Sequence, residues 1–181
     1  MSAARFALLP DRGLVRVSGP EATHFLQNLL TRDVEGLTTG EAAFAALLTP
    51  QGKILFDFLV LKDLDGFLLD TPASQVAALV KRLGFYRLRA KVTLEDCSST
   101  HEVAVIFGDA LPAAPLAPDV LAVTDPALLN WACVWPGRRG WRTFWKALPC
   151  RRQSAQTGTP TASALACRRR KATSLTARFS P

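Results

Sequence analysis

Polar and apolar positions in the first hundred residues follow two rhythms, one of period two and one near 3.6. Val15-Arg16-Val17 is a β-branched alternation that predicts a short strand. Ser18-Gly19-Pro20 follows with capping chemistry, since Pro20 suits a first helical position, where its missing N–H costs nothing. Ala22, Phe25, Leu26, Leu29 and Leu30 then fall at i, i+3, i+4, i+7 and i+8. That single apolar stripe predicts a helix ended by Thr31-Arg32-Asp33. Ala42–Leu48 and Ile54–Leu61 read as two strands joined at Thr49-Pro50-Gln51-Gly52, where Pro fixes φ and Gly tolerates positive φ.

Asp63-Leu64-Asp65-Gly66 marks the next turn, into a strand at Phe67–Asp70. Thr71-Pro72-Ala73-Ser74 opens a second helix, with Val76, Leu79, Val80 and Leu83 on one face. Further strands are expected at Lys91–Glu95, Val103–Phe107, Asp119–Thr124 and Leu129–Trp135. The order strand, helix, hairpin, strand, helix, strand predicts an α+β fold: a mixed or antiparallel sheet with helices on one face. Residues 108–118 are rich in Pro and Ala and read as a linker, and beyond Trp135 the periodicity fails. The expected division is a module over 1–98, a partial continuation over 99–136 and a basic, disordered tail over 137–181.

Composition adds bounds to this picture. Of 181 residues, 49% are hydrophobic and 20% charged, which places the chain among globular rather than disordered proteins. The apolar run Ile54–Leu61 is interrupted by Asp57 and falls far short of the ~20 residues of a membrane span, so no membrane association is expected. The first residues carry no long apolar run after a positive charge, which argues against a secretory signal. Cys97, Cys133, Cys150 and Cys167 form no CxxC pair. The expectation is a reduced, soluble, cytoplasmic protein.

Charge divides the chain in two. Residues 1–137 hold all 15 acidic residues and 11 of the 22 Lys and Arg; residues 138–181 hold the other 11 and no acid. The overall charge of +7 therefore describes neither part.

Nucleophile elbows, P-loops and dinucleotide fingerprints are missing from the sequence. His24 and His101 are far apart, and no cysteine spacing matches a zinc site, so neither a metal nor a catalytic residue is assigned. Two features point to ligand binding. Arg87, Arg89 and Lys91, if the segment is extended, share one face opposite Tyr86, Leu88, Ala90 and Val92, a cationic ladder suited to a polyanion such as a glutamate tail. Asp57 stands in an otherwise apolar strand on the face of Leu55 and Leu59, where it can bind a protonated ligand nitrogen. Read from spacing alone, a solvated strand face is the preferred account of the ladder, while an edge-strand or outward-facing acid accounts for Asp57 equally well.

Three blocks carry a resemblance. The run from Val17 to Val34 is similar to the G-x-D-A-x-x-F-L-Q-x-x-L-T-x-D-V signature of YgfZ-type folate-binding proteins, relatives of the glycine-cleavage T protein. Ala46 to Asp57 resembles the L-L-x-P-x-G-[KR]-[IV]-L-x-D block, and Arg82 to Val92 the R-L-x-x-Y-x-L-R-x-K-V block, in the family's order and near its spacing. The resemblance implies a T-protein-like α+β fold that binds tetrahydrofolate, supports iron–sulfur cluster assembly and maintenance with iron–sulfur proteins as partners, and is linked to tRNA modification. It also implies cofactor contacts at Gln27, Thr31, Gly52, Lys53, Asp57, Arg87, Arg89 and Lys91.

Two departures shape the expected role. T proteins carry an acidic doublet where this chain has Phe56-Asp57, so a folate-binding accessory role is preferred to aminomethyl transfer. The family's K-G-C-Y-x-G-Q-E hallmark does not occur in the chain. The preferred account of residues 137–181 is a truncated or frameshifted family member. The alternative is a nucleic-acid-binding tail, with Arg168-Arg169-Arg170-Lys171 for phosphates and Trp141, Phe144 and Trp145 for stacking.

Overall fold

The structure is a computed structural model that describes residues 5–107, 120–124, 131–136 and 151–152, with side chains from Ala7 to Ile106 and at Val123. Ten strands and two helices appear among them: β1 Arg5–Leu8, β2 Arg12–Ser18, α1 Ala22–Gln27, β3 Ala42–Leu48, β4 Ile54–Asp63, β5 Gly66–Pro72, α2 Val76–Arg87, β6 Thr93–Asp96, β7 Ala104–Phe107, β8 Val120–Thr124, β9 Trp131–Pro136 and β10 Arg151–Arg152. They form two five-stranded sheets. One runs β3-β4-β5-β2-β6, the other β10-β1-β7-β9-β8. All pairings are antiparallel except β1 with β10.

Period-two alternation gives the first sheet two apolar faces. Val15, Val17, Ala45, Leu47, Phe58, Val60, Phe67 and Leu69 turn towards the helices and meet Phe25 and Leu26 of α1 and Val76, Leu79 and Leu83 of α2. Both helices therefore cover one face, as the sequence predicts. The intervening positions Leu14, Leu59, Leu61 and Leu68 turn the other way and meet Cys97, Val103 and Val123. β4 and β5 are buried on both faces because helices lie on one side and the second sheet on the other.

The β3–β4 hairpin forms where the sequence places it. Gly52 has φ +78, and its N–H donates to the Thr49 carbonyl, while the Thr49 N–H donates to the carbonyl of Lys53. α1 is shorter than its apolar stripe: it ends at Gln27, and Leu30 instead bridges Leu47 of β3. Thr31 N–H donates to the Ala46 carbonyl at 3.1 Å and Ala46 N–H to Thr31 Oγ1 at 2.9 Å. Pairing with the open edge of β3 satisfies backbone groups that another helical turn would satisfy only internally.

β1 lies in the second sheet with strands from beyond residue 98, so the chain's first strand pairs with its later ones. The predicted linker at 108–118 lies outside the described residues. Of the tail from 137 onward, the structure describes Arg151–Arg152, whose backbone pairs in parallel with Arg5–Phe6.

Candidate functional site

The described polar residues of interest gather at the two ends of the face that meets the second sheet. Asp57 sits on this face of β4, two residues before Leu59, half-buried and opposite Ala46 on β3. Its sequence neighbour Phe56 turns the other way and packs against the helix-side core. Leu59 pairs with Asp70 of β5, which makes Asp57 and Asp70 diagonal neighbours on one face.

Asp70 is 4% exposed, and sequence patterning gave no sign of it. Arg12 of β2 holds it twice: Nε donates to Oδ1 at 2.7 Å and Nη2 to the carbonyl oxygen at 2.9 Å. The two residues are 58 positions apart, so no local motif could have paired them. A half-buried carboxylate beside a charge-compensated, deeply buried one forms a polar edge on an otherwise apolar wall. Of the two, Asp57 is the carboxylate that a donor group from outside the sheet could reach.

At the opposite end of the face, Arg16 Nη1 meets Asp63 Oδ2 at 2.9 Å. His101 lies within their influence. Burial, and then the positive charge of Arg16, hold its imidazole below the ordinary value of 6.5. Leu14, Leu61 and Leu68 occupy the space between the two ion pairs.

The residues implied by resemblance do not converge on one site. Thr31 is bonded to Ala46, which itself pairs with Asp57, so Thr31 and Asp57 flank one residue of β3. Gly52 and Lys53 form the exposed hairpin tip at the same end of β4. Gln27 serves a turn: its Oε1 accepts from Val34 N–H at 2.8 Å and Glu35 N–H at 3.3 Å.

The cationic ladder is overturned. Tyr86 and Arg87 belong to α2, Leu88 caps the helix at φ +42, and β6 starts only at Thr93. The physical reason is that the buried positions Val76, Leu79 and Leu83 run on to half-buried Tyr86 at helical spacing, so core packing carries the helix into the first two residues of the alternating stretch and no strand forms before Thr93. Arg87, Arg89 and Lys91 share no strand face. They also stand away from Asp57. Thr93 aligns with Ser18, while Asp57 lies at the level of Arg12, three strands away. Those offsets correspond to about 14 Å across the sheet and about 20 Å along it. Lys91 lies further out still, its backbone N–H donating to Glu21 Oε2 at 2.9 Å.

Among the described residues, no group of three His, Cys, Asp or Glu is placed to hold a metal ion. Nor is any helix among them long and apolar enough to cross a membrane. The aromatic and basic residues proposed above for nucleic-acid contact lie outside the described side chains.

Residues 11–126 match the GCVT N-terminal domain. Among curated proteins, the chain is 37% identical over 112 residues to the mouse iron-sulfur cluster assembly factor IBA57, mitochondrial, covering 54% of this chain and 31% of that protein. The human protein of the same name is 36% identical over 100 residues, covering 48% and 28%. The homolog from Mycosarcoma maydis is 30% identical over 135 residues, covering 67% and 33%. The chain thus spans about a third of the length of these relatives. Among solved structures, aminomethyltransferase T of the glycine cleavage system from Bartonella henselae superposes with a TM-score of 0.66 at 17% identity, covering 83% of this chain and 48% of that one. That likeness shows a T-protein-like fold. The expectation of a cytoplasmic protein is corrected by these relatives, each of which is named as mitochondrial.

Proposed function

The chain belongs to the GCVT N-terminal domain family, and on that premise we propose that it is a tetrahydrofolate-binding protein supporting iron–sulfur cluster assembly and maintenance. The observation behind this reading is the polar edge on the wall between the sheets, where Asp57 stands diagonal to the Arg12-bound Asp70. The amino and ring N–H groups of a reduced pterin are donors, and carboxylates are their strongest neutral-pH acceptors. The half-buried Asp57 carboxylate is therefore the acceptor offered to the head of tetrahydrofolate, with Arg12-bound Asp70 and Leu59 buried behind it. Lys53, on the hairpin tip at this end, is the cation assigned to the glutamate tail in place of Arg89 and Lys91. Bound tetrahydrofolate would supply one-carbon carrier chemistry; the chain's own residues bind and orient it.

Support for the iron–sulfur role comes from the relatives, which carry that role in their names. It fits a binding protein better than an aminomethyltransferase, because Phe56 is committed to the core where T proteins place a second acid. Mitochondrial location and iron–sulfur partner proteins belong to the same proposal.

Calorimetric titration of the chain with tetrahydrofolate tests it. Wild type should bind, and Asp57→Asn, its folding checked by circular dichroism, should bind at least about tenfold more weakly. Absence of binding by wild type would remove folate from the reading and leave the family assignment in place.

A further inference from the structure

A second surface, at the far edge of the helix-backed sheet, has no part in the folate reading. From Thr71 to Leu94 the chain contains five cations (Lys81, Arg82, Arg87, Arg89 and Lys91) and no acid. Arg82 lies over the Tyr86 ring, 5.9 Å from its centroid, and the other four are exposed. Neither ion pair among the described residues uses a cation of this segment. Set among these charges are two large apolar side chains turned to solvent, Phe85 at 61% and Leu88 at 88% exposure. Leu88 is held at φ +42, a backbone conformation that a leucine adopts only at a cost. Phe85 lies in the last turn of α2 and Leu88 is the residue that caps it, so the two exposed apolar side chains stand three positions apart at one end of the helix.

We propose that the C-terminal half of α2 and the turn after it form a docking surface for an acidic amphipathic helix of a partner protein. Phe85 and Leu88 are the apolar anchors, and Arg87, Arg89 and Lys91 are the rim that selects acidic residues. The outer face of α2 carries exposed Ala77 and Ala78 near its N-terminus, then Lys81, then Gly84, and nothing lies within 4 Å of where a Gly84 side chain would begin. Small residues on either side of Lys81, leading to two large apolar ones, leave room for a helix along this face, with Lys81 a further partner for its acids. A membrane-inserting face would instead carry bulky residues along its whole length. The chain's own basic segment, residues 138–181, bears 11 cations and no acid, so it is repelled from this surface rather than drawn to it.

The test uses the full chain and a fluorescein-labelled synthetic helix with Leu and Ala on one face and Glu on the other, followed by anisotropy. Phe85→Ser with Leu88→Ser should weaken binding about tenfold or more, as loss of central anchors does. Arg87→Glu with Arg89→Glu should weaken it comparably, and this exposed charge change keeps the result independent of any loss of fold in the apolar variant. Replacing Arg168, Arg169, Arg170 and Lys171 by Ala serves as the control for non-specific attraction and should leave affinity within about twofold. Equal affinity of wild type and the Phe85/Leu88 variant, or no binding by wild type, overturns the proposal. Binding to phosphatidylglycerol vesicles that depends on Phe85 and Leu88 while the peptide is not bound overturns it in favour of a lipid surface. The folate titration above does not read this surface, so either proposal can fail alone.

Discussion

Arg12 and Asp70 are joined at two points, side chain to side chain at 2.7 Å and side chain to backbone at 2.9 Å. Their side chains are 12% and 5% exposed, so the pair is withdrawn from water between the two sheets. Removing one partner of a buried pair leaves an uncompensated charge, which costs more than the pair itself contributes. Arg12→Met should therefore destabilise the protein by about 3 kcal/mol. The double variant Arg12→Met, Asp70→Leu should recover part of that loss in urea unfolding. A single variant as stable as wild type would show that Asp70 draws its compensation from elsewhere.

Gln27 is implied as a folate contact by resemblance, but its Oε1 is engaged by Val34 and Glu35 N–H groups. Gln27→Ala should cost about 1 kcal/mol, the loss from leaving the partly buried Val34 N–H unpaired, since Glu35 N–H keeps its bond to Asp33 Oδ1. Folate affinity, measured by calorimetry, should stay within about twofold of wild type, a change of under half a kcal/mol. A large affinity loss without a stability loss would return Gln27 to the site.

Gly19 has φ +114, and a side chain there would collide with the carbonyl of Lys91. Two unfavourable effects coincide, a backbone conformation reserved for glycine and an immovable backbone neighbour. Gly19→Ala should destabilise by about 2 kcal/mol or more, readable as a lower midpoint in thermal unfolding. The damage should concentrate at the junction of β2 with the segment before β6, detectable as faster amide exchange at Val92 and Leu94.

His101 is held below its ordinary value of 6.5, first by burial and then by Arg16. Below 6.5 the unfolded chain takes up a proton that the folded chain refuses, so this stability is present above 6.5 and lost as pH falls towards the lowered folded value. Urea midpoints measured across that window should fall more steeply with acidification for wild type than for His101→Gln. Parallel slopes would show that another group governs the dependence.

Local periodicity determined a great deal here. β3 has the predicted bounds, β4 begins where predicted and runs two residues further, and the hairpin between them turns at Gly52. The buried face of α2 is Val76, Leu79 and Leu83, as spacing alone requires. These features are legible because each depends on residues a few positions apart, through pleat, helical pitch and the steric freedom of glycine. The alternation of Tyr86 to Val92 is equally local, and it misleads because a short stretch fits two periods at once.

What tertiary structure decided is every relationship across the sheets. α1 stops at Gln27 because Leu30 and Thr31 pair with β3, and no signal within the helix foretells that. Arg12 reaches Asp70 across 58 positions, and Asp57 becomes its diagonal neighbour only through the register of β4 on β5. Arg87, Arg89 and Lys91, adjacent to Asp57 in the logic of one ligand, end three strands away. Sequence spacing fixes which way a side chain points along its own element; which elements lie side by side is settled by the burial of apolar faces collected from the whole chain.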